Sequence, residues 1–392
     1  MGPQPRPVGP SGRTVTLLFW LSAAGVLLAY AGYPLLMAVR ARLRPQPVRR
    51  AAQTPVLDVV VVVHNGAAHL ATKLANLMAQ NYPVDAMRLH VVCDGCTDAS
   101  AAIARACNGV QVHEFSQRRG KSACLADVVP QLRGELVLFT DVRQRVEAGA
   151  ARALAAVLAD PQVGAASGEL MLEADGDYGR GVDAYWRYEK AIRKLESASG
   201  SLVGVTGALY CARRQALPAI PPGLVLDDMW IPLAMAAQGW RVVFEPAARA
   251  WDRAATDPLA EERRKRRTLA GNFQLIHRWP QLAIPGAHPL ALRLWGHKWL
   301  RLLAPWLLLA MLLSSAWLAL DGSRFFGLML ALQLGGWLTA LAGRLLPGTA
   351  RWLPVRLATA FASLNTSALI ALPDYLRNRQ AHLWQITPAR DA

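Results

Sequence analysis

Leu57-Asp58-Val59-Val60-Val61-Val62-Val63 sets five valines in a row behind one carboxylate. A continuous β-branched run without polar alternation is the pattern of a strand buried on both faces, as in a parallel sheet. His64-Asn65-Gly66 follows as a loop, and residues 69–80 carry a helical pattern. Further strands are expected at 89–93 and 136–140, closed by an Asp94-Gly95 turn and by Asp141. Helices are expected at 99–107 and 148–159, and later strands at 204–210 and 240–246. Strands alternating with helices argue for an α/β domain with a mostly parallel, doubly wound sheet. Ligands of such sheets bind beyond the carboxyl ends of the strands. His64, Asn65, Asp94 and Asp141 each stand directly after a strand, so they are expected along one crevice edge.

The chain on either side of this domain is apolar. Of 392 residues, 53% are hydrophobic and 18% charged, too apolar for an ordinary soluble protein and too charged for a pure membrane bundle. Residues 1–14 are rich in Pro and Gly and are expected to be disordered. Residues 15–39 carry no charge and are long enough to cross a bilayer. They exceed the apolar core of a signal peptide and lack a convincing cleavage site. The linker 40–54 contains Arg40, Arg42, Arg44, Arg49 and Arg50, and this positive excess assigns it to the cytoplasm. The domain at 55–285 is then cytoplasmic. Beyond it, Trp295 and Trp299 beside Arg293, His297, Lys298 and Arg301 mark an interfacial amphipathic helix over 286–301. Residues 302–320 and 325–342 are expected to span. Residues 357–372, which include Asn365, span or lie re-entrant before the tail at 373–392.

Lys+Arg 43 against Asp+Glu 27 leaves a formal charge of +16. Such an excess points to nucleic acid, anionic lipid or phosphorylated substrates. The cations cluster beside the apolar segments and no nucleic-acid motif accompanies them. Membrane lipids and a pyrophosphate group are therefore the expected partners, not nucleic acid. Cys93 and Cys96 form a C-x-x-C, but no second pair completes a zinc site. The odd count of five cysteines fits a reducing compartment. Gly120-Lys121-Ser122 ends like a P-loop, yet Phe115 stands where that motif needs Gly. The carboxylates at 173–177 lack the periodicity of a calcium loop.

Two adjacent carboxylates, Asp227 and Asp228, lie between an apolar run and Pro232. Alone, such a pair fits a helix N-terminus or a solvated turn. Its place after the earlier stations changes its meaning. Over residues 55–279 the chain resembles family 2 glycosyltransferases of the GT-A fold, in the membrane group that includes cellulose, hyaluronan and poly-N-acetylglucosamine synthases. His64-Asn65-Gly66 stands where that family has Tyr-Asn-Glu. Asp94-Gly95-Cys96-Thr97-Asp98 resembles its Asp-Gly-Ser-Thr-Asp turn, which implies a uracil or ribose contact for Asp94. Arg119-Gly120-Lys121 resembles the basic loop near the nucleotide. Asp141-Val142-Arg143 stands at the Asp-x-Asp that holds a divalent metal on the donor pyrophosphate, with Arg143 replacing the second Asp. Thr206-Gly207-Ala208 resembles the acceptor-side strand, and Leu226-Asp227-Asp228 the Thr-Glu-Asp whose last residue is the base. Arg264-Lys265-Arg266-Arg267-Thr268 falls at the Gln-x-x-Arg-Trp of processive synthases.

The resemblance implies an inverting transfer from a nucleotide-sugar, with UDP as the expected nucleotide, to a lipid-linked or growing glycan. Asp228 would be the catalytic base, and Asp141 would hold Mg2+ or Mn2+. His64, Asn65, Asp94, Lys121, Asp141, Arg143, Arg264 and Arg267 would bind the nucleotide-sugar. Gly207, Asp227 and Trp186 would lie on the acceptor side. The implied setting is polysaccharide or cell-envelope synthesis at a bacterial inner membrane. Two other readings stay open: a processive polysaccharide synthase, because Arg267 matches while Thr268 replaces the acceptor-stacking Trp, and a catalytically degenerate scaffold subunit.

Overall fold

The computed structural model describes residues 10–173, 179–253, 258–377 and 383. Most of the Pro- and Gly-rich N-terminus, most of the acidic stretch at 173–177 and most of the tail lie outside the described residues. The chain divides into two compact units, one of Arg293–Leu372 with the described part of Met1–Leu36, the other of Met37–Leu292 with the segment from Pro373.

The second unit is built on one mixed sheet. Its strands are β1 (Leu57–Val63), β2 (Met87–Asp94), β3 (Val110–Phe115), β4 (Leu136–Phe139), β5 (Arg145–Val146), β6 (Val163–Glu173), β7 (Tyr210–Arg213) and β8 (Arg241–Arg253). They lie side by side in the order β3-β2-β1-β4-β7-β6-β8-β5. The pairs β2–β3, β1–β2, β1–β4 and β6–β8 are parallel, whereas β7 runs antiparallel to both its neighbours and β5 runs antiparallel to β8. All seven residues of β1 are buried, as its valine run demands. Side chains of a strand alternate between faces. Val59, Val61 and Val63 accordingly pack with Leu70, Leu74 and Leu77, while Val60 and Val62 pack with Leu125 and Val128. The one carboxylate of the run, Asp58, is fully buried and accepts the amides of Arg133 at 2.9 Å and Gly134 at 2.6 Å.

Two expected elements differ. The strand expected at 204–210 is a loop, and only Tyr210–Arg213 pairs. Its two glycines leave it few side chains to pack, and its amides turn elsewhere: Val205 N bonds to Asp228 O at 2.9 Å. The separate interfacial helix expected at 286–301 is not separate. A helix starts at Ala291, passes a π turn at Trp295–Trp299 and continues through Leu300–Leu320.

The first unit holds the apolar helices. Among the described residues, four helical segments are long and apolar enough to cross a membrane: Gly12–Leu43, Ala291–Leu320, Arg324–Leu345 and Leu353–Arg377. Leu18, Trp20, Leu313, Trp317, Leu332 and Leu338 are exposed on their surfaces. Exposed apolar faces of this extent fit a membrane protein. Asn365, which makes the last segment look weak in the sequence, is 2% exposed and donates to Tyr30 Oη at 3.2 Å and Phe361 O at 2.9 Å. Its polar group is satisfied inside the unit, so it does not oppose a span.

Candidate active site

β1, β2 and β4 end side by side, and their loops form one edge of the site. Asn65 adopts φ 50, a left-handed conformation that Asn tolerates better than most residues. Its Oδ1 accepts Thr97 N at 2.8 Å, and His64 Nδ1 lies 2.7 Å from Asp94 O. The loops after β1 and β2 are thus tied together.

Asp94, expected at the uracil or ribose, has partners of its own. It is fully buried, with Oδ1 accepting Arg119 N at 2.7 Å and Oδ2 accepting Gly120 N at 2.8 Å. Each carboxylate oxygen is taken up by an amide of the basic loop. Gly95 completes the fit, because a Cβ there would lie 2.4 Å from Arg118 N. Asp94 therefore holds the 118–120 loop and, through it, the start of the Lys121–Val128 helix.

Lys121 projects from that helix into a cluster of carboxylates. Its Nζ donates to Asp141 Oδ1 at 2.8 Å and lies 3.8 Å from Asp227 Oδ2. A Cβ added at Gly207 would sit 3.6 Å from Lys121 Nζ, 3.7 Å from Asp141 Oδ2 and 3.8 Å from Asp228 Oδ2. One point in space is thereby shared by residues from four separate stretches of chain. The Asp227–Ala237 helix supplies both acidic residues in its first turn, where its dipole favours negative charge.

The electrostatics of the cluster are unequal. Burial pushes the Asp228 carboxyl up to about 6, with Asp227 and Asp141 adding to the rise and Lys121 and Arg193 opposing it. Burial works against the Lys121 ammonium, yet the carboxylates of Asp141, Asp227 and Asp228 outweigh it and raise its pKa. Arg267, on the Pro258–Arg278 helix, is pulled below its usual value by burial, while the charges of Asp227, Asp228 and Asp141 oppose that fall. It stands within electrostatic reach of the same cluster. The Tyr210 hydroxyl, fully buried on β7, is raised by burial and by these three carboxylates.

Arg143, expected at the donor, has a protein partner. It pairs with Asp252 of β8 at 3.0 Å, and Gln144 Nε2 donates to the same oxygen at 2.8 Å. The guanidinium braces the loop after β4 against β8. Arg264 is exposed on the 258–278 helix. Trp186 is half-buried on the Gly179–Ala198 helix, two turns before Arg193, which donates to Gly204 O at 3.1 Å.

Two residues of the site were not visible as such in the sequence. Arg193 lies in an ordinary amphipathic stretch and gives no signal. Lys73 does give one: it falls between Leu70, Leu74 and Leu77 on the apolar face of its helix.

Among the described residues, no three His, Cys, Asp or Glu side chains lie together to hold a metal. Mg2+ and Mn2+ nevertheless need only one or two carboxylates when substrate phosphates complete the shell. Asp141 offers a partly exposed carboxylate, and the buried Oδ2 of Asp227 accepts no hydrogen bond among the described residues. Lys121 Nζ lies beside both oxygens, so a divalent ion here would take Asp141 as its protein ligand and complete its shell with the diphosphate and water.

Residues 55–279 match the family described as glycosyltransferase like family 2. An N-acetylglucosaminyltransferase of Rhizobium meliloti (strain 1021) is 26% identical over 214 residues, which cover 50% of each chain. An N-acetylglucosaminyltransferase of Rhizobium leguminosarum bv. viciae is 25% identical over 262 residues, 60% of this chain and 61% of that one. The chain thus spans about half to three fifths of these relatives' length. Among solved structures, the mannosyltransferase PcManGT from Pyrobaculum calidifontis, in complex with GDP-Man and Mn2+, superposes with a TM-score of 0.68 at 24% identity, covering 91% of this chain and 99% of that one. The match shows a shared fold. The mixed sheet is that of the GT-A glycosyltransferases, and the chain belongs to glycosyltransferase family 2.

Proposed function

We propose that this glycosyltransferase moves a sugar, with N-acetylglucosamine the foremost candidate, from a UDP-sugar to a lipid-linked or growing glycan, with inversion. The meeting of Asp228, Asp141 and Lys121 around Gly207 carries this reading. Asp228 accepts the proton of the acceptor hydroxyl as that oxygen bonds to the anomeric carbon, and a carboxylate with a raised pKa is a better base at neutral pH. The bond from the anomeric carbon to the diphosphate breaks at the same time. Lys121 and Arg267 stand where they can balance the charge of the leaving diphosphate. A divalent ion held by Asp141 would add Lewis-acid stabilisation of that group. His64 and Asn65 line the nucleotide side, and Gly207 leaves room for the two sugars to approach.

The relatives' names support the choice of N-acetylglucosamine. The arginines after the first apolar helix support a cytoplasmic site on a bacterial inner membrane, in polysaccharide or cell-envelope synthesis. Thr268, in place of an acceptor-stacking Trp, favours single additions over processive synthesis, a difference read from product chain length. The decisive experiment measures nucleoside diphosphate release by the full chain in detergent with acceptor-bearing lipids. UDP-N-acetylglucosamine, other UDP-sugars and GDP-mannose are compared with and without Mn2+ or Mg2+. Release from UDP-N-acetylglucosamine that needs the metal is the expected result, and release from GDP-mannose alone would overturn the donor assignment.

A further inference from the structure

Lys73 is 3% exposed, between the core residues Leu70, Leu74 and Leu77 of the Ala67–Met78 helix. An amine buried there loses its hydration, so its partners must compensate. They do so at two points of one loop: Lys73 Nζ donates to Thr140 Oγ1 at 2.8 Å and to Gln144 O at 2.6 Å. Asp141 lies between those two anchors. Thr140 Oγ1 in turn donates to Ala208 O at 2.7 Å, next to Gly207. Gln144 Nε2 holds Asp252 at 2.8 Å, which fixes the far end of the loop to β8.

We propose that Lys73 is a positioning residue of the donor site, whose buried amine fixes the 140–144 loop and, through Thr140, its place beside the Gly207 segment, so that Asp141 faces the diphosphate. This rests on the reading of Asp141 as a donor-side residue. Lys73 touches no reacting atom and acts only through the loop. Burial lowers its pKa to about 7 against the opposing charge of Asp141, as befits an amine enclosed beside the site. A purely structural lysine would affect stability alone. A positioning lysine also changes how tightly donor is held.

The test uses the full chain in detergent, with the nucleotide-sugar that turns over in the release assay. Lys73→Met keeps the length and apolar stem and removes the donors. The expected result is a donor Kd and KM weakened about tenfold, the size of losing two buried hydrogen bonds, with kcat within about threefold. An unchanged Kd would overturn the proposal, whatever happens to Tm. Should Lys73→Met not fold, Thr140→Val removes the acceptor while preserving shape. It is expected to weaken donor binding several-fold, and wild-type affinity would again overturn the role. Asp141→Asn separates the two readings. If it binds donor as wild type does, the donor-side reading of Asp141 fails and the proposal with it. If it loses donor while Lys73→Met does not, only the lysine's role is refuted.

Discussion

The parallel edge of the sheet and the Asp227–Asp228 helix both bury carboxylates, but they hold them in opposite ways. Asp58 and Asp94 are each fully buried, and each is met by two backbone amides. They fix the 133–134 and 119–120 backbones, and the second oxygen of Asp58 lies 3.4 Å from His90 Nε2. Asp228 is instead crowded by Asp227 and Asp141 and only partly relieved by Lys121 and Arg193. A carboxylate satisfied by amides is a fastener, whereas one set among like charges is poised to take a proton. The two regions show that residue type does not decide a role. What surrounds the carboxylate decides it.

The sharpest way to break this contrast is to neutralise one carboxylate of each kind. Asp228→Asn is expected to lower kcat about 1,000-fold, within the range of a lost general base, while donor Kd stays within about twofold. Release assays and calorimetry on the same preparation read both numbers. A large loss of donor affinity would move Asp228 out of the base role. Asp94→Asn is expected to behave differently. One of its two amide partners would face an NH2 group, and a buried amide left unpaired costs about 2 kcal/mol. A lower Tm with weaker nucleotide binding is the expected result. A variant that kept Tm and lost only kcat would place Asp94 among the reacting groups.

The pH profile refines the comparison at smaller scale. Protonated Asp228 cannot accept a proton, and its pKa is raised to about 6. Activity is therefore expected to be full above that value and to fall as pH drops through it, with kcat/KM losing about tenfold per unit. Asp227→Asn removes a neighbouring negative charge that contributes to the rise, so the midpoint should move toward lower pH. A midpoint that stayed in place would assign the titration to another group.

The contrast also explains what could be read from the chain. The valine run, the Asp94-Gly95 turn and the Asp227-Asp228 pair were legible because each has a local pattern. β6 was not, because residues 164–168 are all Ala, Gly or Ser and the strand is held by its neighbours β7 and β8. The 204–210 loop read as a strand because its apolar residues hide that its amides are used elsewhere. Asp94 and Arg143 were placed on the donor by their position in the motif, yet the partners that claim them, Arg119, Gly120 and Asp252, are 25 to 109 residues away. Long-range hydrogen bonding has no signature in spacing.

The smallest expected effect tests that last point. Arg143 occupies the place of a second metal-binding Asp, so Arg143→Asp restores the motif and should increase metal affinity if the side chain faces the donor. The geometry argues otherwise. Its guanidinium is directed to Asp252, with 53% of the side chain exposed. An ion pair that open contributes little, within about 1 kcal/mol. Gln144 keeps its own hydrogen bond to Asp252 in the variant, so the loop retains one brace to β8 and both bonds from Lys73. The new carboxylate would face Asp252 and swing toward solvent. Tm is therefore expected to fall by only a few degrees, and Mn2+ affinity, read by calorimetry in the presence of donor, to change by less than about threefold. A tenfold gain in Mn2+ affinity would show that the 143 side chain does reach the diphosphate, and would support Arg143 at the donor site as a cation standing in for part of the metal's charge.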